Sequence, residues 1–196
     1  KSADDAIRRI TKKLALLNAV TFNDIQNAAF TLSGYIALGK STTDPAKMQT
    51  LLDKAGESAK RIAYSLNFAK SYQDLGAGPP RWQNVNQTFI MGISHLDFSS
   101  ITRSVSLDNL EIFADSLLER VFFTFADNVL RHAAGATEVT LGYAHDGDNL
   151  VLFFQDNGAG IPDRLKDRIF ERGFGTQKGM ELFLVREILG ITGIDP

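Results

Sequence analysis

A short apolar run that ends in an acid and two glycines is the feature that most constrains how this chain can fold. Residues 151–154, Val-Leu-Phe-Phe, suit a buried strand, and residues 156–160, Asp-Asn-Gly-Ala-Gly, end it with turn-forming residues. A strand that ends in this way brings one carboxylate to a sheet edge. Gly158 and Gly160 permit positive φ and a close approach to the backbone, while Asp156 can accept a hydrogen bond from an amino group. Taken alone, the segment also suits an ordinary turn.

A helix with two distinct faces is predicted upstream of that strand. Asp115 and Ser116 offer an N-cap, and the helix is expected to run to about Ala134. Its core-facing stripe recurs at helical spacing: Leu118, Val121, Phe122, Phe125, Val129 and Leu130. Another face carries five polar residues: Thr124, Asp127, Asn128, Arg131 and His132. An Asn carbonyl can bind magnesium and an Arg or His can bind phosphate oxygens, although a solvated helix face would carry similar residues.

Four segments resemble, in family order, the motifs of the nucleotide-binding domain of sensor histidine kinases. That domain belongs to the ATPase superfamily that includes gyrase, the Hsp90 chaperone and MutL. Residues 125–132 resemble its N box, and residues 156–162 resemble its first glycine box. Residues 169–175 resemble the F box, and residues 179–187 resemble the second glycine box with the helix that follows. The resemblance covers roughly residues 82–193, and four motifs in order make chance similarity improbable.

The resemblance implies a site for ATP and Mg²⁺. It assigns nucleotide binding to eight residues: Asn128, Arg131, His132, Asp156, Gly158, Gly160, Lys178 and Gly179. Within that set, Asp156 is expected to read adenine, Asn128 to hold Mg²⁺, and Arg131, His132 and Lys178 to contact phosphate. Residues 162–178 are expected to form a mobile lid over the nucleotide, with an ordinary surface loop as the alternative.

Two positions depart from the family pattern at this site. Glu181 stands where the second glycine belongs, and a carboxylate about 4 Å from a phosphate would cost roughly 4 kcal/mol at an effective dielectric of about 20. Thr124 stands where relatives often carry Asn or Glu, and a hydroxyl is a poorer metal ligand than either. A non-kinase ATPase of the same superfamily generally uses a catalytic Glu there, so that function is disfavoured.

The N-terminal part of the chain has the apolar rhythm of two long helices. The spacing predicts a helix from Ala3 to about Leu38, a turn over residues 39–43, and a second helix that Asp44 caps, Pro45 opens and Asp74 ends. Narrow apolar seams cannot be buried within a lone hairpin. We therefore expect a homodimer in which two hairpins form a four-helix bundle, with packing against the second domain as the alternative.

The first of these helices carries the family's acceptor motif in altered form. Relatives have His-Asp followed a turn later by Asn, and the matching residues here are Asn23, Asp24 and Asn27. The resemblance makes Asn23 the acceptor position and Asp24 the base beside it. A carboxamide nitrogen is no nucleophile, whereas a neutral imidazole is. Either the natural protein is a degenerate kinase or this residue has been changed, and the sequence does not separate the two.

Two functions follow from these observations. The first is a histidine kinase of two-component signal transduction, which in its active form autophosphorylates a His and passes the phosphoryl group to a response-regulator receiver domain. The second is a pseudokinase, a dimeric interaction module with weak or no nucleotide binding. The coincidence of Asn23, Thr124 and Glu181 is the reason to consider it.

The expected fold class is α+β in two domains. A dimerisation hairpin over residues 1–75 precedes a linker over 76–81, in which a flexible pair of glycines is followed by a stiff pair of prolines. An ATP-binding domain over 82–196 follows the linker. That domain is expected to be a Bergerat-type α/β sandwich whose mixed sheet is covered by helices on one face. A strand pair, 101–107 with 110–113, and a hairpin, 137–144 with 149–155, are predicted. Relatives usually add one more strand after the last helix.

Composition limits the remaining possibilities. The 196 residues, 44% of them apolar, suffice for one large or two small cores, and a net charge of −2 gives no indication of nucleic-acid binding. The absence of Cys excludes disulfides and zinc–thiolate sites, which is typical of a cytoplasmic protein. No apolar run approaches the roughly 18 residues of a membrane span, so no membrane contact is expected. Because the chain begins with Lys1, we expect a piece of a longer protein.

Overall fold

The chain divides into two compact units, with the boundary between Asp74 and Leu75. The computed structural model describes residues 23–171 and 180–196. The predicted helical segment before Asn23, and Lys178 and Gly179 of the predicted nucleotide site, lie outside the described residues.

The first unit contains a helical hairpin, α1 (Asn23–Ser41) and α2 (Pro45–Asp74). The predicted start and end of α2 are confirmed, and the Oδ1 of Asp44 accepts the backbone N–H of Ala46 at 2.9 Å, as an N-cap should. The predicted turn over 39–43 is wrong in its first half, because α1 continues to Ser41. Gly39 is buried within that last turn, and a Cβ built there would lie in ordinary contact with the sulfur of Met48, at 3.5 Å.

Burial along α2 follows one stripe. The buried residues are Leu51, Ala55, Ser58, Ser65, Phe68 and Tyr72. The hydroxyl of Ser58 donates to the carbonyl of Lys54 at 3.0 Å, so its burial costs little. Other large apolar side chains of the hairpin remain exposed: Phe30, Ile36, Leu38, Leu52 and Leu66. Phe30 is the extreme case, at 83% exposure.

The second unit is an α/β module. Its elements are β1 (Arg81–Asn84), α3 (Val85–Ile93), β2 (Thr102–Ser106), β3 (Glu111–Ala114), α4 (Leu118–His132), β4 (Glu138–Asp146), β5 (Asn149–Asp156), α5 (Asp163–Lys166) and α6 (Glu181–Gly190). Strands β2, β4 and β5 form a mixed sheet in which β2 is parallel and β5 antiparallel to β4. Strands β1 and β3 form a separate antiparallel pair. The predicted α+β class with a mixed sheet is confirmed.

The predicted pairing of residues 101–107 with 110–113 is wrong, because β2 and β3 belong to different sheets. Asp108 and Asn109 do form a tight turn, both with positive φ, and the N–H of Leu110 donates to the carbonyl of Leu107 at 2.6 Å. The turn redirects the chain instead of closing a hairpin. β3 pairs with β1, and the side-chain amide of Gln83 in β1 strengthens that pairing by donating to the carbonyls of Ala114 and Asp115.

The core of the second unit lies between the mixed sheet and its helices. Val139 and Leu141 of β4 are almost completely buried, as are Phe183, Leu184, Val185, Ile188 and Leu189 of α6. The ring of Phe89 in α3 meets the rings of Phe122 in α4 and Phe154 in β5, with centroids 5.7 and 6.1 Å away. Helices α3 and α4 cross closely at Gly92, where a Cβ would lie 2.7 Å from the carbonyl oxygen of Glu119.

Gly76, the first residue of the predicted linker, is hydrogen-bonded within the second unit. The carboxylate of Asp115, which has no exposed surface, accepts the N–H of Gly76 at 3.2 Å and the N–H of Leu117 at 2.9 Å. Asp115 thereby satisfies an early backbone donor of α4 and holds the incoming chain beside it. Among the described residues, no helix combines the length and apolarity needed to cross a membrane.

Candidate nucleotide site

Asp156 is the last residue of β5 and faces the helices. Along the end of the strand, Leu152, Phe154 and Asp156 are half-buried whereas the residues between them are exposed, as the two-residue period of a strand requires. Phe154 stacks on Phe125 of α4, with ring centroids 5.8 Å apart. Asp156 therefore lies on the side of the sheet that α4 covers, and α4 also carries Asn128, one turn beyond Phe125.

The turn after β5 orients the Asp156 carboxylate. Its Oδ1 accepts the N–H of Gly158 at 2.9 Å. Its Oδ2 has no hydrogen-bond partner among the described residues and can accept a donor from a ligand. A Cβ on Gly158 would lie 2.8 Å from the Cβ of Ala133, just past the end of α4. Gly160 has φ of 71° and open space around it, so the two glycines are needed for different reasons.

The polar face of α4 is buried at Thr124 and Asp127 and becomes exposed toward the end of the helix. Thr124 and Asp127 are only 2% and 5% exposed, and Asn128 is half-buried. Arg131 is exposed, and its Nε donates to the Oδ1 of Asp127 at 2.7 Å. His132 ends the helix at the surface. This burial excludes a simple solvated face, and a buried carboxylate holds the Arg131 guanidinium on the helix that carries Asn128.

Asn128 and the Asp156 turn lie at the same end of the module. Ala133, which Gly158 touches, follows Asn128 by five residues, or about 7.5 Å along a helix axis. The described residues contain no group of three or more His, Asp or Glu side chains able to hold a metal. The neutral carbonyl oxygen of Asn128 suits an Mg²⁺ ion whose other ligands are phosphate oxygens and waters.

Asn157 is a residue whose importance the sequence analysis missed. Its Oδ1 accepts the N–H groups of Thr137 and Glu138 at 2.8 and 3.0 Å, and its Nδ2 donates to the hydroxyl of Thr137 at 2.9 Å. The side chain therefore joins the end of β5 to the start of β4. The capacity of Asn to bond backbone groups in turns was the available signal, but the sequence did not reveal the partner.

The segment after the turn begins with the short helix α5. Lys166 contacts the Oδ1 of Asp163 at 2.7 Å, and this hydrogen bond, with the attraction of the ammonium charge, holds the pKa of Asp163 below its ordinary value. Beyond the undescribed residues, α6 begins at Glu181, which is half-buried. A carboxylate in the first turn of a helix interacts favourably with the helix dipole.

The acceptor-position residues lie on α1. All three, Asn23, Asp24 and Asn27, are exposed. The backbone carbonyl of Asn27 accepts the hydroxyl of Thr31 at 2.8 Å. This part of α1 is accessible to a reacting group from outside the helix.

Comparison with known proteins identifies the second unit. Residues 114–193 match the family model described as histidine kinase-, DNA gyrase B- and HSP90-like ATPase. These residues, which include Asn128 and Asp156, form an ATPase domain of that class. Together with the relatives below, the match supports a sensor histidine kinase core that contains this ATPase domain.

The relatives are sensor proteins. The chain is 34% identical over 94 residues to the alginate biosynthesis sensor protein KinB of Pseudomonas aeruginosa, a match that covers 45% of this chain and 15% of KinB. It is 33% identical over 87 residues to the sensor histidine kinase DpiB of Escherichia coli, covering 40% and 15%. A probable C4-dicarboxylate sensor kinase of Bacillus subtilis matches 93% of this chain at 23% identity, over 33% of its own length. The chain thus spans a minor part of each relative.

A solved structure has the same fold. The Acinetobacter baumannii histidine kinase AdeS superposes with a TM-score of 0.54 at 17% identity, over 86% of this chain and 84% of that one. The likeness extends well beyond the ATPase domain that the family model covers.

Proposed function

We propose that the chain binds ATP with Mg²⁺ at the end of the mixed sheet and belongs to a two-component sensor kinase. The observation that supports this most strongly is that Asp156 and α4 lie on the same side of the mixed sheet, where the Phe125–Phe154 stack joins β5 to α4. With Oδ1 engaged by Gly158, the Oδ2 of Asp156 accepts the adenine amino group. Asn128 holds Mg²⁺, and Arg131, His132 and Lys178 are the candidate phosphate contacts, with the Gly179 backbone beside them.

When bound, ATP would supply its γ-phosphoryl group to a histidine at the acceptor position, with ADP as the leaving group. The residues of this chain would bind the adenine and orient the phosphates, and Asp24 would accept the imidazole proton if a histidine stood at position 23. Buried Asp127 keeps Arg131 directed along α4, and Gly158 lets the backbone approach without a clash. Thr124 is buried, so the metal contacts fall to Asn128.

We propose that the hairpin forms a homodimer and presents the acceptor position. The exposed Phe30, Leu52 and Leu66 give it apolar surface that a second hairpin would cover. In relatives with a His at that position, the phosphoryl group would pass to a response-regulator receiver domain. In this chain Asn23 stands there and cannot be phosphorylated as an imidazole is, so autophosphorylation requires its replacement.

Restoring the acceptor tests this function. Incubated with γ-labelled ATP and Mg²⁺, the Asn23→His variant should become labelled at an acid-labile, base-stable site, while the unmodified chain should not. Asn23→His combined with Asp156→Asn is the control and should lose the label. Labelling of the unmodified chain would show that Asn23 does not mark the acceptor position, and an unlabelled Asn23→His chain that also binds no ATP would contradict the function.

A further inference from the structure

Asn157 lies next to Asp156, and its side chain bonds to the start of β4. Its two polar atoms make three hydrogen bonds to Thr137 and Glu138, between 2.8 and 3.0 Å long. The backbone N–H of Asn157 also donates to the carbonyl of Glu138 at 3.3 Å. The residue therefore extends the pairing of β5 with β4 one position beyond Asp156, and its side chain is already engaged within the protein.

The segment that Asn157 bonds, Thr137 and Glu138, is held close to the end of α4 by backbone hydrogen bonds. The N–H of Ala136 donates to the carbonyl of Ala133 at 2.9 Å, which makes a tight turn between the end of α4 and Thr137. The carbonyl of Thr137 accepts the N–H of Thr102 at 2.8 Å, which fixes the same segment to β2. Movement of Thr137 relative to α4 or the sheet would break these bonds.

Two contacts therefore fix the Asp156 turn against α4. One runs through Asn157 and Thr137, and the other is the contact of Gly158 with Ala133. Without the first, the position of the Asp156 carboxylate would depend on the β5 ladder, the Phe125–Phe154 stack and the close approach of Gly158 to Ala133. The spacing between Asp156 and Asn128 decides whether both can reach one nucleotide, because a displacement of about 1 Å can already cost binding geometry.

We propose that Asn157 is a positioning residue of the nucleotide site, which holds Asp156 at the distance from α4 that adenine recognition requires. The inference rests on the proposed function. Asn157 does not touch the nucleotide and acts through Asp156. Loss of the Asn157 side chain should weaken recognition of the adenine base more than it weakens binding of the phosphates.

The test measures ATP and GTP affinities by titration calorimetry at a temperature where each variant is folded by circular dichroism. GTP carries a carbonyl oxygen in place of the 6-amino group of adenine, from which Asp156 would accept a hydrogen bond. The ratio of ATP to GTP affinity therefore reports recognition of the base and does not depend on the folding stability of the variant. Asn157→Ala should weaken ATP binding about tenfold or more, because the three hydrogen bonds that fix the Asp156 turn are lost together, and bring the ratio of ATP to GTP affinity close to one. If that variant does not fold, Asn157→Ser, which keeps a turn-forming residue, provides the measurement.

Matched variants separate positioning from stability. Asn157→Asp keeps an acceptor for the two backbone N–H groups, and Thr137→Val removes only the hydroxyl acceptor, so both should retain ATP affinity within about threefold. Gln155→Ala, on the exposed face of β5, should change nothing. If Asn157→Ala lowers only the melting temperature and leaves both the ATP affinity and the ratio of ATP to GTP affinity unchanged, Asn157 does not position Asp156. That result would leave the proposed ATP binding intact. Failure of the unmodified chain to bind ATP would overturn both.

Discussion

The glycine at position 158 is required by space rather than by backbone conformation. Only Gly160, of the two glycines after β5, has positive φ, whereas a Cβ at position 158 would lie within 3.1 Å of both the side chain and the backbone of Ala133. The sequence motif predicted that the glycines matter and that the backbone approaches a neighbour closely. It did not reveal that the neighbour is the end of α4, because that contact depends on tertiary packing.

Replacing Gly158 with Ala should therefore destabilise the second unit. The added methyl group must displace Ala133 or the turn, and overpacking of this kind typically lowers the free energy of unfolding by about 1–3 kcal/mol. Urea denaturation of the two chains measures the difference. Gly190→Ala in α6, where no atom lies within 4 Å of the new Cβ, is the control and should be neutral or slightly stabilising. Equal destabilisation by both substitutions would contradict the proposed clash.

At the scale of the secondary-structure elements, local signals predicted the start of α2 and the β4–β5 hairpin well. Asp44 followed by Pro45 defined the start of α2, and the turn after Asp146 joined β4 to β5 as expected. Asp108 and Asn109 suggested a hairpin and formed the turn, but the strands beside it paired elsewhere. Turn chemistry fixes local direction, whereas strand partners are chosen by tertiary contacts such as those of Gln83, which a single sequence does not display.

The crossing of α3 and α4 gives a prediction at the same scale. Gly92→Ala would place a Cβ 2.7 Å from the backbone oxygen of Glu119, so the two helices must separate. We expect the free energy of unfolding to fall by about 1–3 kcal/mol, together with weaker packing of Phe89 on Phe122. Thermal denaturation followed by near-ultraviolet circular dichroism reports both changes. The corresponding control is Gly34→Ala in α1, where the new Cβ would meet no atom within 4 Å. If Gly34→Ala lowers the free energy of unfolding as much as Gly92→Ala does, the close crossing of α3 and α4 is contradicted.

For the whole molecule, the proposed homodimer rests on the apolar surface of the hairpin. Phe30, 83% exposed, should lie in or near the interface, so Phe30→Asp should raise the dimer dissociation constant about tenfold or more. Sedimentation equilibrium measures that constant. Ser33→Asp, also exposed on α1, adds the same charge without removing an apolar group and should have a smaller effect. A monomeric unmodified chain would contradict the dimer.

The sequence predicted where Asp156 and Asn128 lie in the fold better than the contacts around them. Asp156 at a strand end and Asn128 on a neighbouring helix follow from motif order and periodicity, and the structure brings them to one side of the sheet. The Asp127–Arg131 pair has the i, i+4 spacing of helix neighbours, so the sequence displays the pair but not the burial of Asp127. The Asn157 hydrogen bonds join residues 20 and 19 positions apart, and local patterns do not reveal them.

The central claim is that Asp156 and Asn128 bind one purine nucleotide. Titration calorimetry with ATP and Mg²⁺ tests it most directly, using the unmodified chain, Asp156→Asn, and Asp148→Asn as a control at an exposed acid in the β4–β5 turn. The claim predicts binding by the unmodified chain and the control, and a loss of about tenfold or more for Asp156→Asn, since an amide cannot replace the charged acceptor. Equal affinity for ATP in Asp156→Asn, or no binding by the unmodified chain, would contradict it.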